Sequence, residues 1–570
     1  MPYNLLQERW IPVRRADDSL DQIAPYEIVP AQDESPPVAF AAVRPDFDGA
    51  LAQFMIGLLQ TTAPPADDEG WGDWWNTPPA PGDLRRASKP FAEAFDLDGP
   101  GPRFFQDYDA DLDGTVKPAA YLLLETPTDN TLKNNADHFV KDRTENAFSL
   151  PVAAQALIAL QMNAPSGGKG HRTSLRGGGP MTTLVTADPA REAHRDAPLW
   201  RTLWLNVLSA RDFEPIDFDP ALAFPWLAPT RVSTKGTKME TTVVNAHAHP
   251  LQAFWGMPRR IRLRFSGPAT CALTGGSVER AVTEFETAPY GANYDGPWDH
   301  PLSPHRVEDG GDRAYLTEAH RLGYADWLGF ALGSGDLDAQ KGRVIRPARA
   351  VRQSRNRAAD LARDCDGLDA LGLWAFGFDT DNMKVRAWKS SRFPFFAADP
   401  EEVEEIHEDA RRLVGAAEAV ASRLNGAIKN ALFGTPQKTT KGGIAWSHPQ
   451  RIADLDKKPG NTHLYKKRLF AETETRLWAD TEQAFFDTLL ALRDPNADPG
   501  QRYELRVQWL RSLQGTALAL FDQIAAPDQQ HRTDPQAVSL ARRDLSGLGK
   551  NKAIREMLNI TTHPAAHAQT

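Results

Sequence analysis

Between Ala164 and Thr183 the chain reads APSGGKGHRTSLRGGGPMTT, six glycines interleaved with Lys169, His171, Arg172 and Arg176. Glycines beside cations can cradle a phosphate, because bare backbone approaches closely and its N–H groups point at the anion. The spacing excludes the two commonest forms of that cradle. A nucleotide-hydrolysing phosphate loop needs Ser or Thr after its lysine and a strand before its first glycine; here Gly170 follows Lys169, and the run leaves an apolar, helix-like stretch. A dinucleotide fingerprint fails for want of the same strand. On composition alone the segment reads as a flexible surface turn, or as bare backbone able to lie against a narrow groove.

Other reactive side chains are sparser. His247 and His249 in NAHAHP face one way on a strand, but no third ligand is near in sequence. DHPLSPH, 299 to 305, offers His300, Ser303 and His305 as a hydrolase alternative, although two prolines favour a rigid turn. Paired-histidine metalloprotease, nucleophile-elbow and two-metal acidic patterns are missing from the sequence. Cys271 and Cys365, the only cysteines, cannot supply a four-ligand zinc site or a disulfide framework. No catalytic residue, metal or cofactor is assigned, and two cysteines without an export signal fit a cytoplasmic protein.

These residues must be positioned by the rest of a 570-residue chain, too long for one core. The first dozen residues read as a strand with a tryptophan anchor. FDGALAQFMIGLLQTTAP, 47 to 64, has helical period, with Leu51, Phe54, Met55, Leu58 and Leu59 on one buried face. From Pro64 to Pro118 the composition is that of long loops plugged by Trp71, Trp74, Trp75, Phe104 and Phe105. SLPVAAQALIALQMNA and LWRTLWLNVLSARDF read as helices, and RRIRLRFSG as a strand with one charged face. Beyond residue 400 four helices are predicted, at about 402–432, 463–493, 501–526 and 535–560. Leu413, Val420, Leu424 and Ile428 form one apolar stripe; Leu477, Phe485, Leu489 and Leu490 form another. Such stripes need one another. The predicted fold is α+β: a large, irregular mixed domain over 1–398, then a four-helix bundle over 399–562.

The net charge of −10 argues against non-specific coating of nucleic acid, but charge is regional. From Lys341 to Arg392 there are twelve Lys or Arg against six Asp, and DPEEVEEIHED, 399 to 409, is strongly acidic. The basic stretch suits a polyanion or a solvated arginine-rich helix.

Several sequence words, in order, resemble the large-subunit family of the type I-E CRISPR surveillance complex, Cascade: YNLLQERWIPV, ALIALQMNAPSGGKG, SLRGGGPMTTLV, WLNVL and GPWDHPLSPHRV. The likeness spans most of the chain, with residues 60 to 120 and the helical tail alike in layout only. It implies a non-catalytic subunit that recognises a short motif flanking the target in duplex DNA. It also implies opening of the duplex to start an R-loop and recruitment of a helicase-nuclease. Implied partners are the guide RNA and the backbone, 5′-handle-binding and small subunits. A purely structural assembly subunit is the alternative.

The resemblance also implies roles for particular residues. Ser166, Gly167, Gly168, Lys169 and Gly170 match the loop that enters the minor groove, with Ser166 and Lys169 standing where relatives carry glycines. Arg172, Arg176, Gly177 and Gly178 would support it. GFDTDNMKVRAW matches a hairpin that wedges between base pairs, with Asp381, Asn382 and Met383 at its tip. Lys384, Arg386, Lys389 and Arg392 would meet phosphates. Phe139, Lys141, Arg143 and Phe148 would meet the guide RNA or a neighbouring subunit. Relatives have a third DNA-contacting lysine in the region that falls on 287–293; this sequence has none there.

Overall fold

The computed structural model describes residues 2–570 apart from 128–132, 134–146, 169, 189–197, 213–217, 235–241, 245–247, 310, 318–321, 334–343, 382–383, 397–399, 441–442, 449–460, 526–533 and 562–570. The chain divides into two compact units, residues 1–319 with 329–399 and residues 320–328 with 400–570.

In the first unit β1 (Ile11–Arg15) lies between β2 (Leu20–Ile23) and β3 (Pro37–Phe40) in an antiparallel sheet. Helix α1 (Pro45–Thr62) starts on a proline at its first position with Asp46 and Asp48 in its first turn, both favourable at a helix N-terminus. Instead of one apolar face it is buried on nearly every side, from Gly49 to Thr61. Phe54 explains why: its ring meets Trp10, Phe95, Phe104 and Trp255 edge-on, at centroid distances of 5.3 to 6.1 Å.

The stretch expected to be long loops contains two helices, α2 (Asp68–Asn76) and α3 (Pro81–Ser88). Two glycines and three tryptophans hide α2 from propensity. It forms because Asp67 caps Gly70 and because Trp71 stacks on Trp75 at 5.3 Å. The indole N–H groups of Trp71 and Trp204 each donate to the other's backbone carbonyl, both at 3.0 Å.

Next come β4 (Thr115–Pro118), β5 (Phe148–Ser149), α4 (Leu150–Asn163), β6 (Thr182–Ala187) and α5 (Pro198–Trp204). Strands β7 (Arg260–Ser266) and β8 (Ala281–Ala288) pair antiparallel, and β4 and β5 also pair with β8. After α6 (Tyr324–Ala331) and α7 (Arg349–Asp360), β9 (Leu371–Asp381) and β10 (Lys384–Phe395) form a long hairpin that joins β6 in the order β10–β9–β6. The central strand, β9, is almost continuously apolar, as a strand covered on both faces must be.

The second unit is mainly helical. Its long helices are α8 (Pro400–Phe433), α9 (Asn461–Leu492), α10 (Pro499–Ala525) and α11 (Pro535–Ser546), followed by the short α12 (Lys552–Met557). A hairpin that the sequence reading missed, β11 (Thr435–Lys438) with β12 (Ile444–Ser447), follows α8. The last predicted helix ends early, at Gly547, and resumes as α12. The α8 stripe is fully buried, whereas in α9 Leu489 and Leu492 are inside and Leu490 faces solvent. Tyr324 stacks on Phe485 at 4.3 Å, and its hydroxyl bonds Thr481 at 3.0 Å.

Tyr324→Ala should cost about 3–5 kcal/mol, the range for truncating a buried aromatic. Tyr324→Phe should cost about 1 kcal/mol, one hydrogen bond. Denaturant titration of the full chain followed by far-ultraviolet circular dichroism checks both; equal losses would contradict the stacking role.

Candidate nucleic-acid interface

The glycine segment is a built loop. It leaves α4 at Ala164, whose carbonyl accepts from the Ser174 N–H at 2.9 Å, closing the loop at its base. Within it the His171 N–H donates to Gly168 O at 2.9 Å. Gly168 and Gly170 sit at φ of 64° and 85°, where side-chain-bearing residues are strained.

Neighbours fix the loop from outside. A Cβ on Gly170 would collide with the Tyr290 ring, and the Tyr290 N–H donates to Gly170 O at 2.8 Å. A Cβ on Gly167 would lie 2.5 Å from Nη1 of Arg259. Arg259 also donates through Nη2 to the Pro165 carbonyl. Arg172 binds buried Ser233, donating from Nε to its Oγ at 2.9 Å and from Nη2 to its carbonyl at 3.0 Å.

Arg176 turns inward. Its guanidinium is buried and donates to Gln53 Oε1 of α1 at 2.6 Å, Thr182 Oγ1 at 2.8 Å and Ser303 Oγ at 3.0 Å, and more weakly to Met162 O at 3.4 Å. Burial lowers its pKa to about 9. His300 lies deep in the same region, and burial followed by the Arg176 charge keeps its pKa well below the ordinary histidine value. Ser303 donates its hydroxyl to Met181 O at 2.8 Å, and His300 Nδ1 accepts from the Leu302 N–H at 3.1 Å. These bonds tie serine and histidine to the backbone, an arrangement that holds a turn and does not activate a nucleophile. His249 Nδ1 likewise accepts from Leu251 N–H. Among the described residues no group of three or more His, Cys, Asp or Glu could hold a metal ion.

The β9–β10 hairpin meets the second half of the glycine segment. Thr380 donates from Oγ1 to Gly178 O at 3.1 Å, across 202 residues of sequence. Gly179, at φ 73°, runs so close that a Cβ would collide with Phe378 O. The hairpin pairs Asp381 with Lys384 and shifts register between Asp379 and Thr380. Arg386 donates to Asp379 at 2.6 Å and lies 3.8 Å from Asp381. Arg392 covers the Trp374 ring at 4.9 Å, Lys384 is exposed and Lys389 is half-buried.

Asn382, Met383 and Lys169 lie outside the described residues, as do Phe139, Lys141, Arg143 and His247. Phe148 needs correction as an outward anchor: it sits in β5 opposite Val282 with no exposed surface, because the short strand folds it into its own sheet. The basic stretch is largely engaged within its own unit. Arg346 and Arg349 both bind Asp299, and Arg357 binds Asp68 while lying over Trp71 at 4.6 Å. Sequence reasoning missed Arg259 and Tyr290; RRIRLRFSG and the 287–293 region were singled out for other reasons, and only the folded chain brings these two residues to the loop.

The family model for CRISPR-associated protein Cse1 matches residues 4–520. The chain belongs to the Cse1 family. No curated protein matches the sequence. Solved Cse1 structures share its fold. CasA of Thermus thermophilus superposes with a TM-score of 0.65 at 17% identity, covering 96% of this chain and 100% of the other. Thermobifida fusca Cse1 gives 0.67 at 16%, covering 98% and 99%. A chain of a CRISPR RNA-guided surveillance complex gives 0.62 at 16%, covering 95% and 99%. No helix among the described residues of this Cse1 family member is long and apolar enough to cross a membrane.

Arg176→Met should destabilise the chain by at least about 3 kcal/mol, since each stranded buried acceptor costs about 1–3; an unchanged denaturation midpoint would refute the cradle. A second expectation concerns acid. Unfolded, His300 takes up a proton below about pH 6.5, whereas folded it stays neutral, so the unfolded state binds more protons and stability falls as pH drops through that value. In His300→Gln the slope of stability against pH between about 6.5 and 5 should shrink by up to one proton, about 1.4 kcal/mol per pH unit. His305, also pushed down by burial, keeps part of the slope.

Proposed function

We propose that this chain is the large, non-catalytic subunit of a cytoplasmic RNA-guided complex and reads a short motif beside the target in double-stranded DNA. It works with the guide RNA and with backbone, 5′-handle-binding and small subunits. Base pairing with the guide reads the target, and protein reads the flank.

The observation that carries this reading is the meeting of two elements far apart in sequence. The glycine loop, at positive φ at Gly168 and Gly170, and the β9–β10 hairpin are joined through Gly178 and Thr380. The minor groove is only about 6 Å wide, so backbone without side chains enters where branched residues would meet its walls. Ser166, Gly167, Gly168, Lys169 and Gly170 are assigned to that groove. Arg172, Arg176, Gly177 and Gly178 hold their base.

The hairpin tip, Asp381, Asn382 and Met383, then unstacks the adjoining base step, at a cost of a few kcal/mol that phosphate contacts offset. Exposed Lys384 is the leading phosphate ligand, and half-buried Lys389 stands beside it in a secondary role. Arg386 and Arg392 contribute less, one being paired with Asp379 and the other laid over Trp374. The opened duplex starts an R-loop and brings in the helicase-nuclease.

Reconstituted complexes carrying single variants test the division of labour. Gly168→Val should abolish preference between duplexes that differ only in the flanking bases, because valine is strained at positive φ and widens the loop. Lys384→Ala should weaken both duplexes alike and flatten the salt dependence by up to about one charge. Asn382→Ala should leave motif binding and slow duplex opening, read with a base-stacking fluorophore. If Gly168→Val keeps full discrimination, the loop is not the reader; if the wild-type complex has none, the chain serves assembly alone.

A further inference from the structure

Beneath the glycine segment lies a cavity of about 190 Å³ that no step above uses. Its walls include Gly167, Tyr121, Leu124, Leu160 and Phe285, with Arg259 among them. The walls are mostly apolar, with Lys117 and His171 as further polar groups beside Arg259.

The Arg259 guanidinium is only partly matched. Arg259 is 9% exposed, yet its Nε has no hydrogen-bond partner, and its guanidinium donates only from Nη2, to Pro165 O, among the described residues. Burial alone accounts for its lowered pKa, with no neighbouring carboxylate contributing. A buried guanidinium with neither counter-charge nor a full set of acceptors is costly, and such groups elsewhere in proteins are paired. Arg176, equally buried, has four acceptors. Among the described residues Arg259 lacks that set, which leaves its Nε for an acceptor from outside.

The shape and lining narrow the visitor. The volume is below the roughly 300 Å³ of a drug-sized ligand site, leaving room for one flat group. An apolar side chain would leave the Arg259 N–H bare, and a lone phosphate would leave the apolar walls unmatched. A flat ring system with carbonyl or ring-nitrogen acceptors on its edge satisfies both, and aromatic or guanidinium surfaces are what unpaired bases stack on. We propose that this cavity takes one unpaired nucleobase, its edge accepting from Arg259 and its faces against the apolar wall. The inference rests on the nucleic-acid reading above. It adds a consequence: because Gly167 abuts Arg259, a seated base braces the motif-reading loop from behind.

Saturation-transfer NMR on the full-length chain, titrated with GMP, dGMP and inorganic phosphate, tests the pocket apart from motif reading. The nucleotides are expected to bind saturably without competition from phosphate. Arg259→Met should weaken them by about tenfold or more, as for loss of a charge-assisted hydrogen bond. Since that variant also releases Pro165, Leu124→Trp is the second probe, filling the cavity while leaving Arg259 in place, and it should abolish binding. Tighter GMP than dGMP binding identifies an RNA base and the reverse a DNA base; equal affinity supports the pocket for either strand. Absence of saturable binding, full competition by phosphate, or unchanged binding in Leu124→Trp overturns the proposal. Flank discrimination by the reconstituted Leu124→Trp complex is read separately, so the pocket can fail while the motif reading stands.

Discussion

One guanidinium organises the first unit. Arg176 stands just past the glycine loop and holds Gln53 from α1, Met162 from α4, Thr182 from β6 and Ser303 from the turn after Trp298. A charge so deeply buried is tolerable only when its donors are matched at once. The loop's exit is therefore set by four segments that converge from across the unit. Removing the charge would not merely loosen a turn; it would strand acceptors on α1, β6 and the Ser303 turn.

Much of this was legible in the sequence where local patterns and burial agree. The α4 helix and the long α8 stripe read as helices, and packing had no cause to override that reading; β9, almost continuously apolar, has no alternation to mark it and its apolar run was not read as a strand. The α2 helix was not legible, because Gly70, Gly72 and three tryptophans argue against helix locally while the Trp71–Trp75 stack and the Trp204 bonds favour it from a distance. Leu490 fitted an apolar stripe by spacing and turned out to face solvent, since one residue past Leu489 is roughly 100° around the helix.

The candidate site divides the same way. Its glycines and the hairpin are visible as words, and the resemblance to a family linked them in function. What joins them physically is invisible at that level: Thr380 on Gly178, Tyr290 on Gly170, Arg259 on Gly167. The basic stretch suited either a polyanion face or a solvated arginine-rich helix, and Arg346, Arg349 and Arg357 instead bind Asp299 and Asp68 within the unit. Charge density along a chain does not say which cations remain available.

The hairpin carries a constraint on how the protein can vary. Only two residues separate Asp381 from Lys384, and side chains on paired strands alternate between faces. Adding one residue at the turn and sliding the pairing would carry Arg386 away from Asp379 and turn Trp388 from its packing on Phe376 and Phe378. Adding two would keep every face. An odd insertion is therefore compatible with this packing only if the turn itself lengthens and leaves the strand register alone, or if a second irregularity joins the bulge at Asp379, so that parity limits how the hairpin can grow.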